Sequence, residues 1–181
     1  TVPLDTVQRI WKIASQYGWH IQSYVDDHLL CHHQDWQSDL YECQTGAKAE
    51  FLGDSLYELL QEPNKLIAID TVKNIDSIID TLTPIVGDTA TLVRSQQDFL
   101  EIIAPHVSKG DALYQLAQQY GIGLEYIVSF GNAENDISML SKTGYSVAVE
   151  NAVDHVKSIA CEVCGHHNED GVAHWIEEHL L

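Results

Sequence analysis

The stretch FGNAENDISML, residues 130–140, decides how the second half of the chain is interpreted. It follows the apolar run YIVS, residues 126–129, and ends in an apolar pair. Two asparagines, a glutamate and an aspartate lie between, where a buried strand should turn into a helix. In doubly wound sheets, ligands bind at the carboxyl ends of the strands. The pattern therefore marks this turn as a candidate functional site.

Two interpretations of the turn are open on its residues alone. Aspartate and asparagine offer the hard oxygens that Mg²⁺ prefers, and Gly131 allows a sharp turn or a close backbone approach. The same residue types also favour the N-cap of a helix. Capping is the simpler interpretation until a second signal supports a site.

The charge of the chain restricts its partners. The 181 residues carry a net charge of −18, and each half, 1–100 and 101–181, contributes −9. Such a surface repels nucleic acid and anionic membranes, and an anionic substrate needs a local cation. With no run of 18 apolar residues and no signal-like start, we expect a cytoplasmic protein that neither spans a membrane nor binds nucleic acid.

The first hundred residues predict a small α/β unit with antiparallel strand pairs. Helices are predicted at 3–17, near 54–61 and at 74–83, the last beginning at Asn74 and ending before Pro84. Strands are predicted on both sides of a tight turn at Asp26–Asp27, and at 65–70, 89–95 and 98–104. Residues 36–53 give no clear pattern.

After Pro105, strands and helices alternate, which is typical of a parallel sheet covered by helices. Ser108 and Asp111 are spaced as a capping box. The predicted strands are 126–130, 145–149 and a weak one at 161–164; the helices that follow them are 134–141, 151–160 and 168–180. Three strands make a short sheet, so we expect another segment or another chain to complete it.

Cys161 and Cys164 form a C-x-x-C pair followed by two histidines. This spacing suits two zinc ligands, but no second pair has a matching spacing. A loop that happens to hold two thiols is the simpler interpretation.

The order of motifs adds a resemblance to a known family. The segments VSKG (107–110), FGNAENDISML, VAVENAVDHVKSIA (147–160) and NEDGVAHWIEEHL (168–180) together resemble the C-terminal half of the haloacid dehalogenase-like phosphatases of the Cof type. The resemblance implies an α/β fold in which 105–181 form the C-terminal part of a Rossmann-like core. Residues 1–104 then resemble the family's α/β cap.

The resemblance also implies roles for individual residues. Lys109 matches the phosphate-binding lysine and Asp136 an acidic residue that helps hold Mg²⁺ or its waters. The supporting positions are Gly131, Glu134, Asn135 and Asn151, the last of which a helix cap explains nearly as well. In the predicted cap, Arg94 is either a substrate contact or, more simply, half of a surface ion pair.

Two departures from the family pattern stand out. Asn132 replaces a metal-binding aspartate, and an amide oxygen brings no negative charge, so weak Mg²⁺ binding is expected. The DxDGT segment with the nucleophilic aspartate is absent. We therefore expect a fragment of a phosphatase for small phosphorylated metabolites, inactive alone. The alternative is a non-catalytic relative that binds a partner or a phosphorylated ligand.

Overall fold

The computed structural model describes all 181 residues, which form two compact units, Thr1–His106 and Val107–Leu181. The sequence placed the change of pattern at residues 104–105. Both units are α/β, as predicted. None of the helices has the length and apolar character that crossing a membrane requires.

The N-terminal unit is built on a six-stranded sheet with the order β3-β2-β1-β4-β6-β5. Its pairs are antiparallel except β2 with β3, which the sequence did not predict. The elements in chain order are α1 (Leu4–Tyr17), β1 (Ile21–Val25), β2 (His28–Cys31), α2 (Trp36–Thr45), β3 (Ala49–Phe51), β4 (Lys65–Ile69), α3 (Val72–Val86), β5 (Thr91–Gln96) and β6 (Phe99–Ile103).

Both faces of this sheet are covered, because successive side chains of a strand point to opposite faces. Leu66 and Ala68 of β4 pack in one apolar cluster with residues of α1 and α3. Ile67 and Ile69 pack in another, which includes Tyr41 of α2. The central strand is therefore buried on both sides.

Local predictions in this unit had mixed outcomes. The tight turn is confirmed: Asp26 and Asp27 have φ values of 48° and 65°, as the two-residue hairpin turn requires. The 54–61 helix is a 3₁₀ segment, Gly53–Glu58.

The predicted limits of α3 were wrong at both ends. The helix begins at Val72, after Thr71 rather than Asn74 as cap, and continues through Pro84 to Val86. Pro84 is exposed in the last two turns, where water can satisfy the carbonyl group that its ring leaves unpaired. The burial of Leu82 and Val86 holds the helix together past the proline.

The C-terminal unit contains a parallel sheet in the order β7-β8-β9. Its elements are α4 (Lys109–Tyr120), β7 (Val128–Gly131), α5 (Ile137–Leu140), β8 (Tyr145–Val149), α6 (Asp154–Ile159), β9 (Glu162–Cys164) and α7 (Gly171–His179). The core joins Val147 and Val149 of β8 to Leu140, Val156 and Trp175. The three parallel strands are confirmed.

The helices after these strands are shorter than predicted, because polar turns precede them. Residues Glu134–Asp136 form a 3₁₀ turn, so α5 begins only at Ile137. Helix α6 follows Val153 rather than Asn151. Asn168 lies in a 3₁₀ turn, and α7 follows Asp170, which has a left-handed backbone with a φ of 56°.

Candidate functional site

Lys109 is the first residue of α4, and the local sequence fixes that helix start. The Ser108 hydroxyl accepts the Asp111 N–H at 3.1 Å, which confirms the Ser108 half of the predicted capping box. The Gly110 N–H donates to the Ser138 hydroxyl of α5 at 3.1 Å. These bonds use two of the free N–H groups of the first turn, those of Gly110 and Asp111.

Asp136 connects Lys109 to the polar turn. Its carboxylate is buried, with a side-chain exposure of 5% against 51% for Lys109. One oxygen accepts from Lys109 Nζ at 2.5 Å. The other accepts the backbone N–H groups of Asn132 and Ala133 at 2.8 and 3.1 Å. A single carboxylate therefore holds both the lysine and the end of β7.

Electrostatics favour the ionised form of this carboxylate. Burial raises the pKa of Asp136, but the hydrogen bonds from Lys109, Asn132 and Ala133 and the lysine charge outweigh it. The net pKa lies below the ordinary value. The Asp136 carboxylate is therefore ionised at neutral pH. The exposed part of the Lys109 side chain remains available to a ligand.

Two glycines allow the close approaches that build this site. A Cβ on Gly131 would lie 2.7 Å from the Asp136 Cβ, so the strand end must carry no side chain there. A Cβ on Gly110 would lie 2.1 Å from the Ser138 carbonyl oxygen. Close packing therefore requires glycine at Gly110 of SKG and at Gly131 of FGN.

The side chains of the other predicted residues of the turn do not hydrogen-bond to Asp136. Glu134 faces the His155 ring at 3.2 Å and is exposed. The side chains of Asn132 and Asn135 take no part in the hydrogen bonds that hold the turn. The Asn151 side chain accepts the His167 N–H at 3.3 Å and does not cap α6, so the capping alternative was wrong.

Arg94 lies in the N-terminal unit, where its guanidinium forms an ion pair with Asp76 of α3. The zinc alternative gains no support: no group of three histidine, cysteine, aspartate or glutamate side chains in the chain could hold a metal ion. Cys161 is exposed and Cys164 is buried, and both are free thiols.

Two contributors to the site escaped the sequence analysis. Ser138 gave no signal, because a serine inside a predicted helix is ordinary. Lys142 pairs with Asp111 in the first turn of α4, and only the folded chain brings these residues together.

A family profile described as haloacid dehalogenase-like hydrolase matches residues 1–176. The chain belongs to this family. That membership agrees with the fold, with the order of motifs and with the position of Lys109 and Asp136 at the end of a parallel strand.

Individual relatives support the family while spanning more sequence. A Bacillus subtilis protein named 5-amino-6-(5-phospho-D-ribitylamino)uracil phosphatase YitU is 26% identical over 99% of this chain and 67% of its own length. The crystal structure of TM0651 from Thermotoga maritima is similar, with a TM-score of 0.80 and 29% identity, over 98% of this chain and 67% of that one.

A third similarity has a different name. The chloroplastic endoribonuclease YBEY of Arabidopsis thaliana is 34% identical over 70% of this chain, but the match spans 22% of that protein. The haloacid dehalogenase-like chain thus spans between about a fifth and two thirds of the length of these relatives.

Phosphatases of the haloacid dehalogenase-like family typically use Mg²⁺, and the residues of this chain do not fit a complete site for it. Both Asp136 oxygens already accept hydrogen bonds, and Glu134 faces His155. Asn132 and Asn135 add only neutral amide oxygens. Mg²⁺ is usually held by one or two carboxylates with free oxygens, and neither carboxylate of this turn is free.

We expect the contribution of Asp136 to stability to depend on pH. Because its folded pKa lies below the unfolded value of 3.8, that contribution is present above the unfolded pKa and is lost as the pH falls through the folded pKa. Urea unfolding of the wild-type chain and Asp136→Asn from about pH 7 to about pH 2 measures this. The difference between them should be largest near neutrality and shrink below about pH 4. A constant difference would contradict the ionised pairing.

Proposed function

We propose that Lys109 and Asp136 form the lysine-bearing part of a phosphomonoesterase site. The main support is that Asp136 holds Lys109 at the carboxyl end of β7 while half of the lysine side chain stays exposed. Phosphoryl transfer needs cations placed against the phosphate oxygens, and positioning plus electrostatics supply most of the catalysis.

In this proposal, Lys109 Nζ donates to a non-bridging oxygen of the phosphate. Asp136 stops the lysine from turning into solvent and balances part of its charge. The need for such a cation is acute, because residues 107–181 contain only three lysines and no arginine. Against a negatively charged surface, a fixed ammonium group gives a phosphate one favourable place to bind.

We assign the nucleophilic aspartate, and the carboxylates that would hold Mg²⁺, to sequence outside these 181 residues. No DxDGT segment occurs in the chain, and the similar proteins are longer. Whether the same chain or another provides that segment, it would also complete the three-stranded sheet. We propose that residues 1–181 alone have no phosphatase activity.

The proposed substrate is a small phosphorylated metabolite, selected by the N-terminal unit acting as a cap. The name of YitU, a phosphatase of a phosphorylated uracil derivative, supports a small-molecule monoester. Four free thiols suit a reducing compartment, which supports the cytoplasm as the place of action.

A chimera tests this function. The 181 residues are joined to the part of YitU that has no counterpart in them, and hydrolysis of p-nitrophenyl phosphate is measured with Mg²⁺. We expect turnover by the chimera and none by the 181 residues alone. In the chimera, Lys109→Ala should lower kcat/KM about 100-fold, as loss of one charge-stabilising donor does. The matched control, Lys157→Ala in α6, should leave it unchanged.

Turnover by residues 1–181 alone, insensitive to Lys109→Ala, would overturn the proposal. The second candidate is a non-catalytic phosphate-binding relative, which the neutral Asn132 favours. That candidate predicts a folded chimera that binds tungstate through Lys109 and does not turn over.

A further inference from the structure

The start of α4 is joined to the segment that contains α5 by three successive residues. The three contacts are Lys109 with Asp136, Gly110 with Ser138, and Asp111 with Lys142. The first two place the lysine and the helix start. The third brings a second carboxylate and a second ammonium group to the same place.

The Asp111 side chain is held against the turn that carries the lysine. One of its carboxylate oxygens accepts the Ser108 hydroxyl at 2.6 Å, and the same hydroxyl accepts the Asp111 N–H at 3.1 Å. Its other oxygen accepts from Lys142 Nζ. Because Ser108 directly precedes Lys109, the Asp111 charge is fixed close to the proposed anion contact.

The charges of these side chains balance only when Lys142 is counted. Lys109 and Asp136 form one ion pair, and Lys142 and Asp111 form another, so the four groups sum to zero. Without Lys142, two carboxylates and one ammonium group would sum to −1. A phosphate monoester carries a charge of about −1.5 to −2 near neutral pH, so it would then meet a net repulsion.

Few other groups could supply this positive charge. Residues 107–181 contain three lysines and no arginine, and the third lysine, Lys157, lies in α6. The remaining carboxylate of the polar turn, Glu134, faces His155 and is not part of the set of four. The net charge of −18 offers no positive background to a bound anion.

The Asp111–Lys142 pair is too exposed to matter mainly for stability. The side-chain exposures are 47% for Asp111 and 39% for Lys142, and ion pairs in water contribute little to folding. Their charges still act over a Debye length of about 8 Å at physiological ionic strength, which is enough to reach a ligand at a neighbouring residue. The pair therefore affects the local charge more than the fold.

We propose that Lys142 supports anion binding at Lys109 by neutralising Asp111. The inference rests on the proposed function, in which Lys109 contacts a phosphate oxygen. Lys142 acts through Asp111 and does not itself touch the ligand. The residue makes the lysine-bearing turn neutral, so that a dianion can approach Lys109 without net repulsion.

Tungstate, a tetrahedral dianion like phosphate, tests this on the 181-residue chain at about pH 8, with the ionic strength held at about 0.15 M by NaCl. The backbone N–H signal of Gly110 reports binding in NMR titrations. We expect saturable shifts with a Kd of about 10 mM in the wild-type chain and no saturable binding in Lys109→Ala.

Variants of the second ion pair separate a charge effect from a structural one. Lys142→Met should weaken tungstate binding about threefold, and less than about 1.5-fold at an ionic strength of about 1 M, where the Debye length is about 3 Å. Asp111→Asn combined with Lys142→Met should restore the wild-type Kd, because the charges again sum to zero. Lys157→Met is the matched control and should change nothing. If Lys142→Met does not fold, Lys142→Gln replaces it.

The outcomes distinguish this inference from the proposed function. A loss that does not depend on salt, or no recovery in the double variant, would mean a structural role for Lys142 and would overturn the inference. Binding that needs Lys109 but is indifferent to Lys142 would overturn it too, while the role of Lys109 would stand. No binding by the wild-type chain, or equal binding by Lys109→Ala, would overturn the role of Lys109 and the inference together.

Discussion

Replacing Asp136 with alanine is expected to lower the free energy of unfolding of the C-terminal unit by about 3 kcal/mol. The change removes the only acceptor recorded for two backbone N–H groups and for the Lys109 ammonium. It also empties the space of the buried Asp136 carboxyl group, while the Cβ beside Gly131 is kept. Urea unfolding followed by the NMR signal of Trp175, which lies in the core of this unit, measures the loss.

Asp136→Asn is the matched control, because it keeps the side-chain shape and one acceptor oxygen. That oxygen can still accept from the turn, whereas the amide nitrogen cannot pair with Lys109. Since Lys109 is half exposed, water replaces part of its partner. We expect a loss of about 1 kcal/mol for Asn, well below that for alanine. Equal losses would mean that the charge, rather than the hydrogen bonds of the turn, determines stability.

Strand positions were largely predictable, because each depends on a short local signal. The apolar runs at 65–69 and 145–149 are strands, and Asp26–Asp27 turns as expected. The pairing of β2 with β3 was not predictable. It joins segments about twenty residues apart, and Ala49–Phe51 carry no strong pattern of their own.

The predicted ends of helices were wrong where tertiary contacts outweighed the local sequence signals. Pro84 usually ends a helix, but the burial of Val86 carries α3 past it. Gly171, the first residue of α7, lies so close to Gly165 that a Cβ would be 2.1 Å from its carbonyl oxygen. Neither effect is visible in a window of neighbouring residues.

The residue types of the site were predictable, but their connections were not. The motifs pointed to Lys109 and to Asp136, and the fold brings their side chains together. The family resemblance implied a role for Asp136 towards a metal, and in the structure its oxygens face Lys109 and the turn. Which atoms a carboxylate faces depends on the path of the backbone from β7 to α5.

Gly110→Ala is expected to lower the free energy of unfolding by about 3 kcal/mol as well, for a steric reason. The added Cβ would lie 2.1 Å from the Ser138 carbonyl oxygen and 2.5 Å from its carbon. Because both atoms belong to the backbone, no rotamer change relieves the clash, and α4 must move away from α5. That shift would break the Gly110–Ser138 hydrogen bond and draw Lys109 away from Asp136.

Two further variants distinguish this steric effect from a lost hydrogen bond. Ser138→Ala removes only the bond to the Gly110 N–H and should cost about 1 kcal/mol. Gly165→Ala, whose Cβ would meet only the Gly171 Cα at 3.2 Å, should cost less than Gly110→Ala. The NMR pKa of Asp136 reports the geometry: with Lys109 displaced, that pKa should rise in Gly110→Ala and stay low in Gly165→Ala. A stable Gly110→Ala protein with an unchanged Asp136 pKa would show that α4 does not depend on this contact to place Lys109.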